Sequence, residues 1–235
     1  MPQDYNVVLS RIVQETKDVR TFCLKFSDEK GFDFFPGQFV MLRIPSDIEK
    51  LKRAYSIASS PTEDGIIDVT FRIEGKFTNK LAGLREGDEL VASGPFGHFN
   101  FKPDMKDDLV LFAGGTGIAP FRSFVKFIVE KNLSNKVVLF YSSKTPDEII
   151  YFNELREFKK KSKNVKIVFT VTRYDGNDWD GLRGRFDEKM IMENLDGFDN
   201  KLFYLCGSNS FVDSVVGILK AKDIPKERIK FEKWG

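Results

Sequence analysis

Near residues 100–106 the hydrophobic pattern of the chain changes period, and few architectures accommodate both halves. Before that point, short runs rich in Val, Ile, Phe and Tyr cover residues 5–13, 19–26, 38–44, 53–58, 66–73 and 89–93. Turn clusters such as Phe35-Pro36-Gly37 and Glu63-Asp64-Gly65 separate them. Six strands at this spacing predict an antiparallel β-barrel, interrupted by one short helix over residues 78–84 with Thr78 near its start. After Phe101-Lys102-Pro103-Asp104, continuous apolar runs alternate with amphipathic segments. Residues 109–113, 136–141, 165–170 and 202–206 predict buried strands, and residues 118–129, 146–158, 187–195 and 210–222 predict helices. In the first of these helices Ile118, Phe121, Phe124, Val125 and Ile128 form one apolar stripe. Such alternation implies a mostly parallel sheet covered on both faces. The fold class is therefore two-domain: an antiparallel barrel over residues 1–103, then an α/β parallel-sheet domain over residues 104–235.

Composition narrows the functions this frame can carry. With 37 basic against 35 acidic side chains the net charge is only +2, which argues against nucleic acid as a partner. The longest apolar runs, such as Val137-Val138-Leu139-Phe140-Tyr141, fall far short of the roughly 20 residues of a membrane span. Met1-Pro2-Gln3-Asp4-Tyr5 has neither the basic nor the apolar region of a secretory signal, so the expected compartment is cytoplasmic. Two cysteines, Cys23 and Cys206, are too few for a four-cysteine iron–sulfur cluster. A single histidine, His98, argues against a His-based metal site or a Ser-His-Asp triad. The one oddity is 24 Phe residues, enough for a large core and for rings lining an aromatic ligand site.

Two constellations carry chemistry. The strand 109–113 runs into Gly114-Gly115-Thr116-Gly117-Ile118-Ala119-Pro120 and then a helix. A glycine-rich strand-to-helix turn lets backbone approach a phosphate, and the helix N-terminus offers it unpaired N–H groups and partial positive charge. Pro120 suits a first helical turn. The pattern is neither Gly-x-Gly-x-x-Gly nor a P-loop, and a tight turn without a ligand is the competing reading. The second constellation is Arg53-Ala54-Tyr55-Ser56-Ile57-Ala58-Ser59-Ser60-Pro61. Alternation puts Arg53, Tyr55 and Ile57 on one face and Ala54 and Ser56 on the other; an edge strand ending in a turn would read the same way. An arginine beside Tyr55 is harder to explain as core, because Arg is rarely buried unpaired.

Together with Gly75-Lys76-Phe77-Thr78, Gly94-Pro95-Phe96-Gly97-His98-Phe99 and Tyr204-Leu205-Cys206-Gly207-Ser208, these motifs resemble the ferredoxin–NADP reductase family in content and order. The resemblance implies a flavin-binding barrel and a Rossmann-like nucleotide-binding domain. It implies Arg53 at the FAD pyrophosphate, Tyr55 against the isoalloxazine, Ser56 near flavin N5, and Ala54 among the cofactor-binding residues. Gly75, Lys76, Phe77 and Thr78 would supply N–H groups and a hydroxyl to the pyrophosphate. Gly114, Gly115, Thr116 and Gly117 would accept the dinucleotide pyrophosphate, with Thr116 and Cys206 close to the nicotinamide and Gly207 among the cofactor-binding residues. The ending Phe231-Glu232-Lys233-Trp234-Gly235 resembles a Glu-x-aromatic terminus: Trp234 would be the ring covering the flavin, and Glu232 the acid near hydride transfer. Here the aromatic is penultimate, which departs from the family pattern. Thr172 and Arg173 resemble a Ser-Arg pair that reads the 2′-phosphate of NADP(H), with Arg183 and Arg185 just beyond. Asp175, Asp178 and Asp180 argue the other way, toward NADH.

The implied activity is hydride transfer from NADPH to FAD, then single-electron transfer to a separate acceptor such as ferredoxin or flavodoxin, or the reverse. The alternatives are a reductase component of an oxygenase or a flavin or quinone reductase on the same scaffold, and, from another class, a nucleotide-binding module without turnover. Intact Ser56, Cys206 and Glu232 argue against the last. Lys50 and Lys52, just before Arg53, are placed to steer an acidic acceptor. The run Lys159, Lys160, Lys161 and Lys163 reads as a solvated helix end complementing the helix dipole.

Overall fold

The computed structural model describes residues 3–28 and 30–234. Gly235, whose position behind Trp234 marks the departure from the family ending, lies outside the described residues. The chain forms two compact units, one of residues 1–102 and 119–130, the other of residues 103–118 and 131–235. The helix after the glycine-rich turn, which the sequence assigns to the second domain, thus clusters with the first unit.

In the first unit β1 (Gln3–Thr16), β2 (Val19–Phe26), β3 (Phe39–Arg43), β4 (Lys52–Ser56), β5 (Ile66–Arg72) and β6 (Glu89–Phe96) form one sheet in the order β4-β3-β6-β1-β2-β5. Every pairing is antiparallel. The two end strands meet through an Ile57–Val69 bridge and an Ala58 N–H to Asp68 carbonyl bond of 2.8 Å. That contact closes the sheet into the barrel read from the sequence. Its interior is filled by Val7, Leu9, Phe22, Leu24, Val40, Leu42, Val69 and Leu90, each fully buried large side chain contributing roughly 1.5–3 kcal/mol.

Helix α1 (Gly75–Ala82) seals one end with Phe77 and Leu81. It starts three residues before the expected Thr78. The reason is local: the Thr78 hydroxyl accepts the Glu74 N–H at 2.8 Å and donates to the Glu74 carbonyl, so Thr78 works from inside the first turn rather than ahead of it. The actual first residue, Gly75, has φ +74°, a conformation that favours glycine. A further helix, α2 (Ile118–Glu130), runs along the barrel seam. Arg122 Nη1 donates to the Ala58 carbonyl at 2.9 Å and to Asp68 Oδ2 at 2.8 Å, and Ser123 donates to the Ser59 carbonyl at 2.5 Å.

The second unit contains β7 (Asp108–Gly114), β8 (Val137–Ser143), α3 (Phe152–Lys161), β9 (Val165–Val171), β10 (Leu182–Arg183), α4 (Glu188–Met192), β11 (Lys201–Ser208), α5 (Asn209–Lys220) and β12 (Ile229–Trp234). Its sheet order is β10-β9-β8-β7-β11-β12, parallel throughout. Two of these strands, β10 and β12, were not expected. The helix expected over 146–158 is interrupted: a 3-10 turn (Pro146–Glu148) gives way to an extended Ile149 and a left-handed Tyr151 before α3. There the Ile150 N–H leaves the helical pattern to bond the buried Tyr141 hydroxyl at 3.1 Å. Most of the phenylalanines are core: Phe112 stacks on Phe140 at 4.8 Å and Phe186 meets both edge-on. Among the described residues only Phe35 and Phe231 are exposed. No helix is long and apolar enough to cross a membrane.

Candidate functional site

From β7 the chain adds β8, β9 and β10 on one side, then returns to lay β11 and β12 on the other. The order therefore reverses between β7 and β11, and the carboxyl ends of strands at such a switch point form a ligand crevice. Two of the motifs meet there, the glycine-rich turn and Tyr204-Leu205-Cys206-Gly207-Ser208. Gly114 ends β7 and leads into the 3-10 turn Gly115–Gly117 and then α2. Cys206 and Gly207 end β11 beside it, and Ser208 caps α5 by accepting the Phe211 N–H. Gly114 and Gly207 both pack on the Phe211 ring.

The tightest approach is at Gly117. A Cβ placed there would sit well inside contact distance of the Cys206 carbonyl oxygen and 2.6 Å from Cη2 of Trp234. Only glycine lets the turn lie this close to β11. The same measurement places the Trp234 ring against the glycine-rich turn, with the side chain still 38% exposed. Trp234 is held there because β12 is a strand of the parallel sheet, with Glu232 opposite Cys206 and Trp234 opposite Ser208. Burial pushes the Glu232 carboxyl up to about 7. Burial, and then the Glu232 charge, push the Cys206 thiol well above its usual range, so Cys206 stays a protonated thiol rather than a nucleophile. Thr116 is half-buried in the turn.

In the first unit, exposure along β4 is graded rather than alternating. Arg53 and Ala54 are exposed, Tyr55 and Ser56 half-buried, and Ile57 buried. The strand passes from solvent into the seam, which overrides the two-face pattern. Arg53 Nη1 donates to the Lys52 carbonyl at 2.9 Å. The Tyr55 ring stacks toward Phe77 at 6.3 Å, which brings the strand motif beside the first turn of α1; burial pushes the Tyr55 hydroxyl up. In that turn the Gly75, Lys76 and Phe77 N–H groups have no acceptor one turn earlier in the helix. The Thr78 hydroxyl, expected to reach the pyrophosphate, is turned back on Glu74. Lys76 pairs with Glu49, and Lys80 with Asp47 at 2.5 Å and Glu49 at 2.7 Å.

At the carboxyl end of β9, Thr172 donates to the Ser143 carbonyl at 3.3 Å and Arg173 is exposed. Arg183 is differently employed from the expected phosphate reader. Its guanidinium donates to the carbonyls of Tyr174, Gly176 and Trp179 at 2.7, 2.6 and 3.3 Å. It clamps the 174–179 loop, so most of its donors are already engaged.

Residues 6–101 match the oxidoreductase FAD-binding domain and residues 111–217 the oxidoreductase NAD-binding domain. The chain is 30% identical over 228 residues to the sulfhydrogenase 1 subunit gamma of Pyrococcus furiosus, covering 92% of this chain and 76% of that one. This chain belongs to the ferredoxin–NADP reductase family. A ferredoxin–NADP+ reductase from Neisseria gonorrhoeae shares the fold with a TM-score of 0.82 at 20% identity, covering 99% of this chain and 98% of that chain. The chain is also 30% identical over 236 residues to the glycine betaine monooxygenase reductase subunit of Chromohalobacter salexigens, covering 98% of this chain but 64% of that protein's length.

The chain thus carries one oxidoreductase FAD-binding domain and one oxidoreductase NAD-binding domain, and its residues fit both groups. Gly115, at φ +55° and with nothing within 4 Å of a Cβ placed on it, leaves open backbone in the glycine-rich turn, and the first turn of α1 offers N–H groups beside the Tyr55 ring. One supporting residue leaves no signal in the sequence. Tyr141, in β8, donates to the Gly115 carbonyl at 3.1 Å and so anchors the glycine-rich turn from beneath. A tyrosine inside an apolar strand looks like core, and its hydroxyl partner lies 26 residues away.

Proposed function

We propose that this chain is the flavin-bearing reductase of a two-protein electron-transfer system. It takes two electrons from NADPH, leaving NADP+ and a proton, and passes them singly to a separate oxygenase component. The observation that carries this reading is the convergence of Gly117, Cys206, Glu232 and Trp234 at the β7–β11 crevice. Bound FAD supplies the conversion of a two-electron donor into one-electron steps.

The chain's own residues do the positioning. Arg53 and the Gly75–Phe77 N–H groups hold the FAD pyrophosphate, Tyr55 lies along the isoalloxazine, and Ser56 orients toward its reacting edge. Residues 114–117 and Gly207 bind the nicotinamide dinucleotide, with Thr116 and Cys206 beside the nicotinamide. Glu232, held near neutrality by burial, keeps a proton at its carboxyl close to this pocket. Trp234 is the ring a nicotinamide must displace. Thr172 and Arg173 read the 2′-phosphate and favour NADPH over NADH. The oxygenase partner is supported by the likeness to the glycine betaine monooxygenase reductase subunit. A ferredoxin or flavodoxin acceptor is a second reading, supported by the exposed cations Lys50, Lys52 and Arg53 next to the Tyr55 strand.

The test is steady-state reduction of ferricyanide by the purified, FAD-loaded chain with NADPH and NADH in parallel, followed by candidate acceptor proteins. Turnover with NADPH, and salt-sensitive reduction of one acceptor protein, is the expected result. Protein that takes up no FAD would overturn the proposal.

A further inference from the structure

The opposite edge of the parallel sheet carries a second concavity that the redox reading leaves unused. β10 pairs with β9 only at Thr170 and Val171. Among the described residues no strand lies against residues 166–169 on that side. In an edge strand, alternate N–H and C=O groups face outward without a ladder partner. This open edge floors a cleft of about 590 Å3, walled by α3 and by residues 179–182.

Phe152, Phe169 and Trp179 line it, with ring centroids 5.2 Å apart for the first pair and 6.3 Å for Phe152 and Trp179. Arg156, Lys159 and Lys166 border these rings and are exposed. The Arg156 guanidinium lies 5.4 Å from the Phe152 centroid, and Lys166 Nζ donates to the Asn194 carbonyl at 3.0 Å. Asp180 is the acid in the lining, and the one further cation there, Lys160, is matched by Glu157 at 2.7 Å. Part of the lysine run that the sequence assigns to a solvated helix end is thus the wall of a cationic, aromatic groove.

We propose that this groove docks an acidic, extended peptide segment of a partner protein. The segment adds a strand to the open edge of β9, sets carboxylates against Arg156, Lys159 and Lys166, and seats an apolar side chain among the three rings. Two features favour a peptide over a small anion. The unpaired backbone edge offers a ladder that a small anion cannot use, and four open residues span about 13 Å at strand rise, enough for alternate side chains to reach rings and cations. The proposal is independent of the electron-transfer reading.

The test uses the full chain and a fluorescein-labelled eight-residue peptide of alternating Asp and Val, followed by fluorescence anisotropy. We expect it to bind at least tenfold more tightly than a Lys-Val peptide or the Asp-Val peptide N-methylated at alternate residues. Arg156→Glu and, separately, Lys166→Glu should each weaken it at least tenfold at unchanged melting temperature. Any of four results overturns the proposal: no binding, equal affinity for the N-methylated peptide, unchanged affinity in both folded variants, or displacement by AMP with quenching of Trp179, which would mark a small aromatic anion site. Self-association of the chain that both variants abolish would assign the groove to a second copy and also overturn it.

Discussion

Arg122 donates to Asp68 at 2.8 Å and to the Ala58 carbonyl at 2.9 Å, and these bonds span the seam where β4 and β5 close the barrel. Both side chains are almost fully buried, at 10% and 6% exposure. Removing one partner of a buried pair strands the other charge, whereas replacing both can be nearly neutral.

Arg122→Ala should therefore cost about 3–5 kcal/mol in urea unfolding, while the double change Arg122→Met with Asp68→Leu should cost much less. A loss below about 1 kcal/mol in the single variant would show that the pair does not latch the seam.

Trp234→Ser removes the ring resting on Gly117 and should tighten nicotinamide dinucleotide binding about tenfold, roughly 1.4 kcal/mol. Equilibrium titration of the oxidised nucleotide reads this directly. Unchanged affinity would mean that the ring does not compete for the pocket.

Arg173→Ala and Arg183→Ala should separate two kinds of arginine. The first should weaken NADPH at least about tenfold more than NADH, because only one carries the 2′-phosphate. The second should weaken both similarly by loosening the 174–179 loop that Arg183 clamps.

Glu232 gives a pH signature with a definite sign. Its carboxyl moves from an ordinary 4.5 up to about 7 by burial, so the folded chain holds a proton that the unfolded chain has released. Its contribution to stability is present below about 4.5 and is lost as pH rises through about 7. Glu232→Gln should flatten the stability profile in that window. A profile identical to wild type would place the carboxyl in a more solvated setting.

The central strands were legible because buried parallel strands are continuous apolar runs, as in Leu109-Val110-Leu111-Phe112-Ala113. β12 escaped because it is an edge strand: Lys230, Glu232 and Lys233 break the run, and only its pairing with β11 makes it a strand. The glycine-rich turn was readable from local chemistry alone, but its anchor Tyr141 was not, because hydroxyl-to-backbone pairing across strands leaves no local pattern. Arg122 sits beside the apolar stripe of α2 and looks like a solvated position. The available hint was at the other end of the bond, an Asp68 set inside Ile66-Ile67-Asp68-Val69.

The polypeptide passes from one compact unit to the other and back, at 102/103, 118/119 and 130/131. A recombinant exchange cut once near residue 103 would thus deliver a barrel without the arginine that latches it. Shuffling either half among relatives requires carrying residues 119–130 with the barrel, so the two cofactor modules are inherited as interleaved rather than consecutive text.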